Sequence, residues 1–204
     1  MVSKQQLAIQ LSKLAVFSSP NVLLEQYPTD SDVAASILWE MHMRAELEGK
    51  CILDLGAGTG ILGIGCLLLD ADHVTFVETD AKVLQILQQN LDLHEIEKER
   101  YTIVAADVLA YNGHADVVIQ NPPFGTRSKH ADLIFLERAL ALAPIVYSLH
   151  KTSTKTYVVD WVSRHGAQVT HSWEFSFPLK QTLRQHTRKL QRIDVCGLRV
   201  AITK

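Results

Sequence analysis

The sequence predicts an α/β fold: a mostly parallel seven-stranded sheet with helices on both faces, preceded by N-terminal helices and closed by an antiparallel hairpin. Three observations predict it. From Lys50 onward, short apolar runs alternate with stretches of helical periodicity, the pattern of successive βαβ units. A glycine-rich turn, Asp54-Leu-Gly-Ala-Gly-Thr-Gly60, separates the first apolar run from the first such helix. The tail then changes to two long strand-like runs joined by a polar loop.

Taken in order, Leu7, Leu11 and Leu14 repeat at helical spacing and predict an amphipathic helix over Ser3–Phe17, broken by Ser18-Ser19-Pro20. Thr29 or Asp30 caps a second helix, Asp30–Leu47, which Gly49 ends. Residues 1–48 therefore read as an N-terminal helical extension, and 49–204 as one globular unit. Within that unit the expected strands are Cys51–Leu55, His73–Val77, Tyr101–Ala105, Ala115–Gln120 and Pro144–Leu149, followed by the hairpin Ala167–Phe177 and Leu190–Thr203. The expected helices run from the glycine turn to Leu69, then Asp80–Leu93, Ala131–Leu142 and Thr152–His165.

Composition narrows the class. At 204 residues and 47% apolar, the chain suits one domain with a substantial core. No apolar run approaches the roughly 18–20 residues of a membrane span, and the first residues lack the apolar stretch of a signal peptide. Cys51, Cys66 and Cys196 are three and form no CxxC pair, which argues against a disulfide framework and for a reducing, intracellular setting. The nine histidines show no ligand spacing, so no bound metal is expected. The net charge of −2 divides unevenly: residues 1–150 carry 10 basic and 19 acidic groups, residues 151–204 carry 10 and 3. A basic tail on an acidic body suggests an anionic partner, a solvated basic face being the plainer alternative.

The glycine turn lies between strand and helix, where Gly56 and Gly58 let a ligand approach the backbone at a helix N-terminus. Gly58, Gly60 and Gly63 also fit a dinucleotide fingerprint, with Glu78 at the matching distance. Asp54 tells against a diphosphate, because a carboxylate at the end of the first strand suits a cationic cofactor. S-adenosyl-L-methionine has an ammonium and a sulfonium. Glu78 is then placed to accept from ribose hydroxyls and Asp107 from the adenine amino group; loop capping is the alternative for Asp54 and Asp107. After the fourth strand comes Asn121-Pro-Pro-Phe124. Its prolines stiffen the turn and remove two N–H donors, leaving the Asn121 side-chain oxygen and the Pro122 carbonyl as acceptors for an exocyclic NH₂. Phe124 offers a face for a planar base or amide.

The glycine turn paired with Asn121-Pro122-Pro123-Phe124 resembles the class I S-adenosylmethionine-dependent amino-methyltransferases. Leu23-Leu-Glu-Gln-Tyr-Pro-Thr29, Asn121-Pro-Pro-Phe-Gly-Thr126 and Tyr147-Ser-Leu-His-Lys151 are similar to the methyltransferase-like protein 5 family, N6-adenosine methyltransferases of small-subunit (18S) ribosomal RNA. The resemblance implies a Rossmann-like fold and a lid contribution from Gln26 and Thr29. It also implies cofactor contacts at Gly56, Thr59, Ile61, Glu78, Asp107 and Val108, with Asn121–Phe124 catalytic. It implies a small zinc-binding activator subunit of the tRNA methyltransferase 112 type, expected along the edge strand Tyr101–Ala105, and a place in nucleus, nucleolus and cytoplasm. Glu78 stands where the family has Asp, Arg127–Ala131 is a residue shorter and lacks a glycine, and the basic Lys180–Arg192, the expected RNA contact, matches poorly residue by residue. The same tetrad would serve a protein glutamine amide or a DNA adenine, and a non-catalytic dinucleotide-binding regulator uses the other glycine pattern. His150 and Lys151, read as following the fifth strand, are candidates for phosphate contact or for a solvated cap. Trp39, Trp161, Trp173, Cys51 and Cys66 read as core.

Overall fold

A computed structural model describes residues 2–17, 28–123, 131–178 and 192–203. Its elements are α1 (Lys4–Leu11), α2 (Ser31–Met43), β1 (Cys51–Leu55), α3 (Ile61–Leu68), β2 (His73–Glu78), α4 (Ala81–Leu93), β3 (Tyr101–Ala105), β4 (Val117–Gln120), α5 (Ala131–Leu142), β5 (Ile145–Lys151), α6 (Lys155–Arg164), β6 (Ala167–Pro178) and β7 (Arg192–Ile202). The seven strands form one sheet in the order β3-β2-β1-β4-β5-β7-β6. The first five are parallel, and β7 runs antiparallel between β5 and β6. The doubly wound sheet and terminal hairpin are those the alternating pattern predicts.

Side chains of successive strand residues enter opposite layers. On one face, Leu7, Leu11, Leu38 and Met41 from α1 and α2 pack with Phe76 and Tyr147. On the other, Leu133 and Leu136 of α5 and Val158 and Val162 of α6 cover Leu53 and Val118. β1 and β4 are central and covered on both sides, which is why they read as continuous apolar runs. The N-terminal helices are thus part of the core. Gly65 makes the contact: a Cβ there would sit 2.3 Å from Leu38 Cδ1, so its absence lets α2 lie close on α3.

Several boundaries and burials differ from the sequence reading. The first helix stops at Leu11, because Ala15 is held by a side chain: Asn90 Oδ1 accepts the Ala15 N–H at 2.8 Å and Asn90 Nδ2 donates to its carbonyl at 3.0 Å. The second, capped by Asp30, ends at Met43 and not Leu47. Ala45 turns left-handed (φ 54°), and Glu46 leaves the helix to pair with Arg199 of β7. β5 continues to Lys151 because β7 pairs along it, with His150 opposite Cys196. His150 is therefore buried, which removes it as a phosphate contact or a solvated cap. Thr152–Thr154 form a short 3-10 turn before α6. Cys51 is exposed at the start of β1, whereas Cys66 is buried as expected. Trp39, Trp161 and Trp173 pack at the core margins, only partly buried.

Candidate active site

In a parallel sheet the loops after the strands gather at one edge, and ligands bind there where the strand order reverses. Here the reversal lies between β1 and β4. Along that edge the order β3-β2-β1-β4 sets Asp107, Glu78, Asp54 and Asn121 in a row. At about 4.8 Å per strand the row spans roughly 14 Å.

The glycine turn is tied to β2. The N–H groups of Gly56 and Ala57 both donate to the Val77 carbonyl at 2.9 Å, and the Gly58 N–H donates to Glu78 Oε2 at 2.9 Å. Gly60 is the N-cap of α3 with φ 88°, left-handed backbone that favours glycine. Having no side chain, it cannot cap the helix. Asp54 does so from the strand: its Oδ2 accepts the Gly63 N–H at 2.8 Å. Gly63 has to be small, since a Cβ would fall 2.2 Å from Phe76 and 2.9 Å from Asp54 Oδ2. Asp54 is only 1% exposed. Burial pushes its carboxyl up to about 8; the Gly63 N–H opposes the shift and the nearby Glu78 charge adds to it.

Glu78 Oε1 accepts from the N–H groups of Thr79 and Asp80 at 2.8 and 2.9 Å. Three backbone donors thus fix this carboxylate at the end of β2. Asp107 is exposed and its Oδ1 accepts from Leu109 N at 2.8 Å, while Val108 is buried beside it. Thr59 is buried and its carbonyl accepts from Asn90 Nδ2 at 2.9 Å; Ile61 is half-buried. Asn90 thereby joins the segment after α1 to the glycine turn. The sequence reading did not pick it out, although a lone Asn on the apolar face with Leu87 and Leu91 was the visible signal.

At the end of β4, Asn121 Nδ2 donates to Thr29 Oγ1 at 2.9 Å. Its Oδ1 is buried and has no partner among the described residues. Pro122 is buried and Pro123 half-buried. Phe124, Gln26 and Lys180–Gln191 lie outside the described residues.

The acceptor set fits S-adenosylmethionine. Three acidic side chains in a row, with the glycine turn between them, suit an amino group, a ribose diol and an adenine amine better than a diphosphate. The Asn121 oxygen, next in line, has no hydrogen-bond partner among the described residues. A sheet of this order with such an edge defines a class I methyltransferase.

The comparisons agree. The Methyltransferase small domain model matches residues 13–145. The chain is 33% identical to the zebrafish (Danio rerio) rRNA N6-adenosine-methyltransferase METTL5, over 95% of this chain and 96% of that protein. It is 37% identical to the Drosophila melanogaster counterpart, covering 88% and 87%. A crystal structure of a candidate RNA methyltransferase from Pyrococcus horikoshii superposes with a TM-score of 0.91 at 38% identity over the whole of both chains. The chain belongs to the methyltransferase small domain family and, within it, to the METTL5 group.

Proposed function

We propose that this protein transfers a methyl group from S-adenosylmethionine to N6 of an adenosine in small-subunit ribosomal RNA. The observation that carries the reading is the buried Asn121 Oδ1, without a partner among the described residues, beside the acidic row. An acceptor in that position selects a group with N–H to give, and an unpaired one costs about 1–3 kcal/mol until it is met. METTL5 relatives at 33 and 37% identity favour the adenine of rRNA over a DNA adenine or a protein amide.

Glu78 holds the ribose hydroxyls and Asp107 the adenine amine of the cofactor; Asp54, Gly56, Gly58, Thr59, Ile61 and Val108 shape the cleft around it. When bound, S-adenosylmethionine supplies an electrophilic methyl on a sulfonium. Asn121 Oδ1 and the Pro122 carbonyl accept the two N6 protons of the adenosine. That orients the nitrogen lone pair and stabilises the positive charge that grows on it. Pro123 stiffens the turn, Phe124 stacks on the base, and the base must be unpaired or flipped to reach them. Gln26 and Thr29 close the cleft from the N-terminal side.

The basic residues Lys180, Arg184, Arg188, Lys189 and Arg192 support RNA as the larger partner. β6 ends and β7 begins at the ligand edge: Pro178 pairs with Arg192, three residues beyond Val195, which faces the end of β5 at Lys151. A zinc-binding activator subunit of the tRNA methyltransferase 112 type adds to the sheet at β3. The two sheet edges differ in a way that supports this. β6 is disrupted by a bulge at Val169/His171 and carries exposed Glu174, devices that blunt an edge; β3 pairs regularly with β2 over Tyr101–Ala105 and presents its other side. With rRNA as substrate, the protein works where small subunits mature, in nucleolus, nucleus and cytoplasm.

The test incubates the chain, alone and with the subunit, with methyl-labelled cofactor and small-subunit rRNA, DNA or ribosomal protein. N6-methyladenosine in the RNA digest is expected, and Asn121→Ala should abolish it with cofactor affinity within about twofold. Label confined to protein or DNA overturns the RNA reading. Equal solubility and cofactor affinity with and without the subunit overturns the pairing at β3.

A further inference from the structure

Behind the acceptor turn runs a chain of four hydrogen-bonded polar side chains with no part in the roles above. Gln120 Nε2 donates to Ser148 Oγ at 3.0 Å. Ser148 Oγ lies 2.8 Å from His150 Nε2, and His150 Nδ1 lies 3.1 Å from Asp132 Oδ2. Gln120, Ser148 and His150 are each no more than 1% exposed. Gln120 faces Ser148 across the β4–β5 register, and His150 follows two residues on, in the layer that α5 covers. With the Gln120 amide donating, the Ser148 hydroxyl proton points to His150 Nε2, and the imidazole proton on Nδ1 points to Asp132. Burial pushes the Asp132 carboxyl up, but the His150 bond and the N–H groups of the first turn of α5 bring it below its ordinary value.

Stability does not explain this chain, since apolar residues of similar volume would serve at least as well at a covered sheet face. A serine, histidine and aspartate in sequence suggest a nucleophilic triad, but Ser148 is 1% exposed with a neighbouring amide on its oxygen, so no substrate carbonyl can reach it. Position explains it. Gln120 is the residue immediately before Asn121, and Asp132 stands in the first turn of α5, immediately after the acceptor segment. The chain therefore joins the two ends of residues 121–131 through β5.

We propose that Gln120, Ser148, His150 and Asp132 form a positioning relay that holds both ends of the acceptor segment, so that Asn121 meets the methyl acceptor at the correct distance. The inference rests on Asn121–Phe124 being the acceptor site. A relay of this kind acts on turnover, because a displacement of about 1 Å at the reacting groups costs on the order of 100-fold in rate.

The experiment measures methyl transfer to small-subunit rRNA by full-length Ser148→Ala, Asp132→Ala, Asp132→Asn and the Ser148→Ala/Asp132→Ala double variant. Calorimetric stoichiometry with S-adenosylmethionine counts the folded enzyme in each preparation. Each alanine variant is expected to lose about 10- to 100-fold in kcat, with KM for RNA and cofactor Kd within about threefold. Asp132→Asn keeps an oxygen for the Nδ1 proton and should recover to within about threefold of wild type. The double variant should be no slower than the slower single one, because one chain is already broken. Wild-type kcat per folded enzyme in the single variants, or losses that multiply, overturns the relay. If the wild type methylates another acceptor, the functional reading fails, and the same kcat ratios decide the relay on that acceptor.

Discussion

Thr29 Oγ1 accepts the Asn121 side-chain N–H at 2.9 Å across 92 residues of sequence. The contact turns the Asn121 NH₂ toward Thr29, with the amide oxygen on the other side. Under the proposed function this arrangement offers the incoming amine an oxygen; turned over, the amide would set donors against donors. Thr29 lies just ahead of the Asp30 cap of α2, and so the N-terminal extension makes direct contact with a residue in the fourth strand's loop.

Thr29→Val keeps the shape and removes the acceptor. One net hydrogen bond is worth about 1 kcal/mol, or roughly fivefold in rate. A five- to tenfold fall in kcat with unchanged cofactor Kd is expected, and Thr29→Ser should stay within about twofold of wild type. Steady-state kinetics on rRNA with parallel calorimetry checks both. A change confined to cofactor Kd would assign Thr29 to the cofactor instead.

Asn90 carries a heavier structural load. It is 1% exposed and satisfies the Ala15 N–H, the Ala15 carbonyl and the Thr59 carbonyl. Asn90→Ala removes the partner of all three; the Ala15 groups, on an exposed residue, can turn to water, while the carbonyl of buried Thr59 is left unmet at about 1–3 kcal/mol. A loss of about 2 kcal/mol or more is expected, which for a chain of this size lowers Tm by about 5 °C. The thermal shift produced by S-adenosylmethionine should shrink as well, because Thr59 belongs to the glycine turn. Scans with and without cofactor separate the two effects.

What the sequence discloses here is what lies close together along it. The edges of β1 and β3 and the helix α5 were legible to the residue, because an apolar run or a 3.6-residue period is a local signal. The glycine turn and Asn121-Pro122-Pro123 were legible because their chemistry is contiguous. The end of α2 was not, since Glu46 leaves the helix for Arg199, 153 residues away. The length of β5 depends on its pairing with β7, so His150 read as a residue beyond the strand. Polar Ser148 and His150, alternating inside an otherwise apolar strand, were the one local sign of the buried relay. Their partner Asp132 belongs to a separate helix and shows no pattern of its own.

The Glu46 pair is itself open to test. Arg199 Nε lies 3.1 Å from both Glu46 carboxylate oxygens, Arg199 Nη2 also bonds one of them, and the Tyr147 hydroxyl donates to the other. Burial pushes the Glu46 carboxyl up, but the bonds from Arg199 and Tyr147 outweigh it and hold the group below its ordinary 4.5. Glu46→Gln leaves a largely buried guanidinium without its counter-charge, at a cost of about 3 kcal/mol. The native pair's contribution is fully present above pH 4.5 and is lost as pH falls through the lowered folded value. The stability gap between wild type and Glu46→Gln should therefore be widest near neutrality and narrow in acid. Urea unfolding at pH 7 and at pH 4 or below gives the comparison.

Asp54 is expected to show the opposite pH dependence. Its folded carboxyl titrates at about 8 against an ordinary 3.8, so between those values the folded chain holds a proton that the unfolded chain has released. Folding then binds a proton, and stability falls as pH rises, by up to about 1.4 kcal/mol per pH unit from this group alone. Above pH 8 both states are ionised and the slope disappears. Asp54→Asn keeps an oxygen for the Gly63 N–H and has no proton to lose. Relative to wild type, the variant should gain stability steadily from pH 5 to pH 8, which urea titrations across that range will read. The same carboxyl links pH to the cofactor. A cationic ligand beside it favours the ionised form, so binding near pH 7 should release a proton. The calorimetric heat for S-adenosylmethionine should then change with the ionisation enthalpy of the buffer in wild type and not in Asp54→Asn. Buffer-independent heats in the wild type would leave Asp54 as the cap of α3 alone.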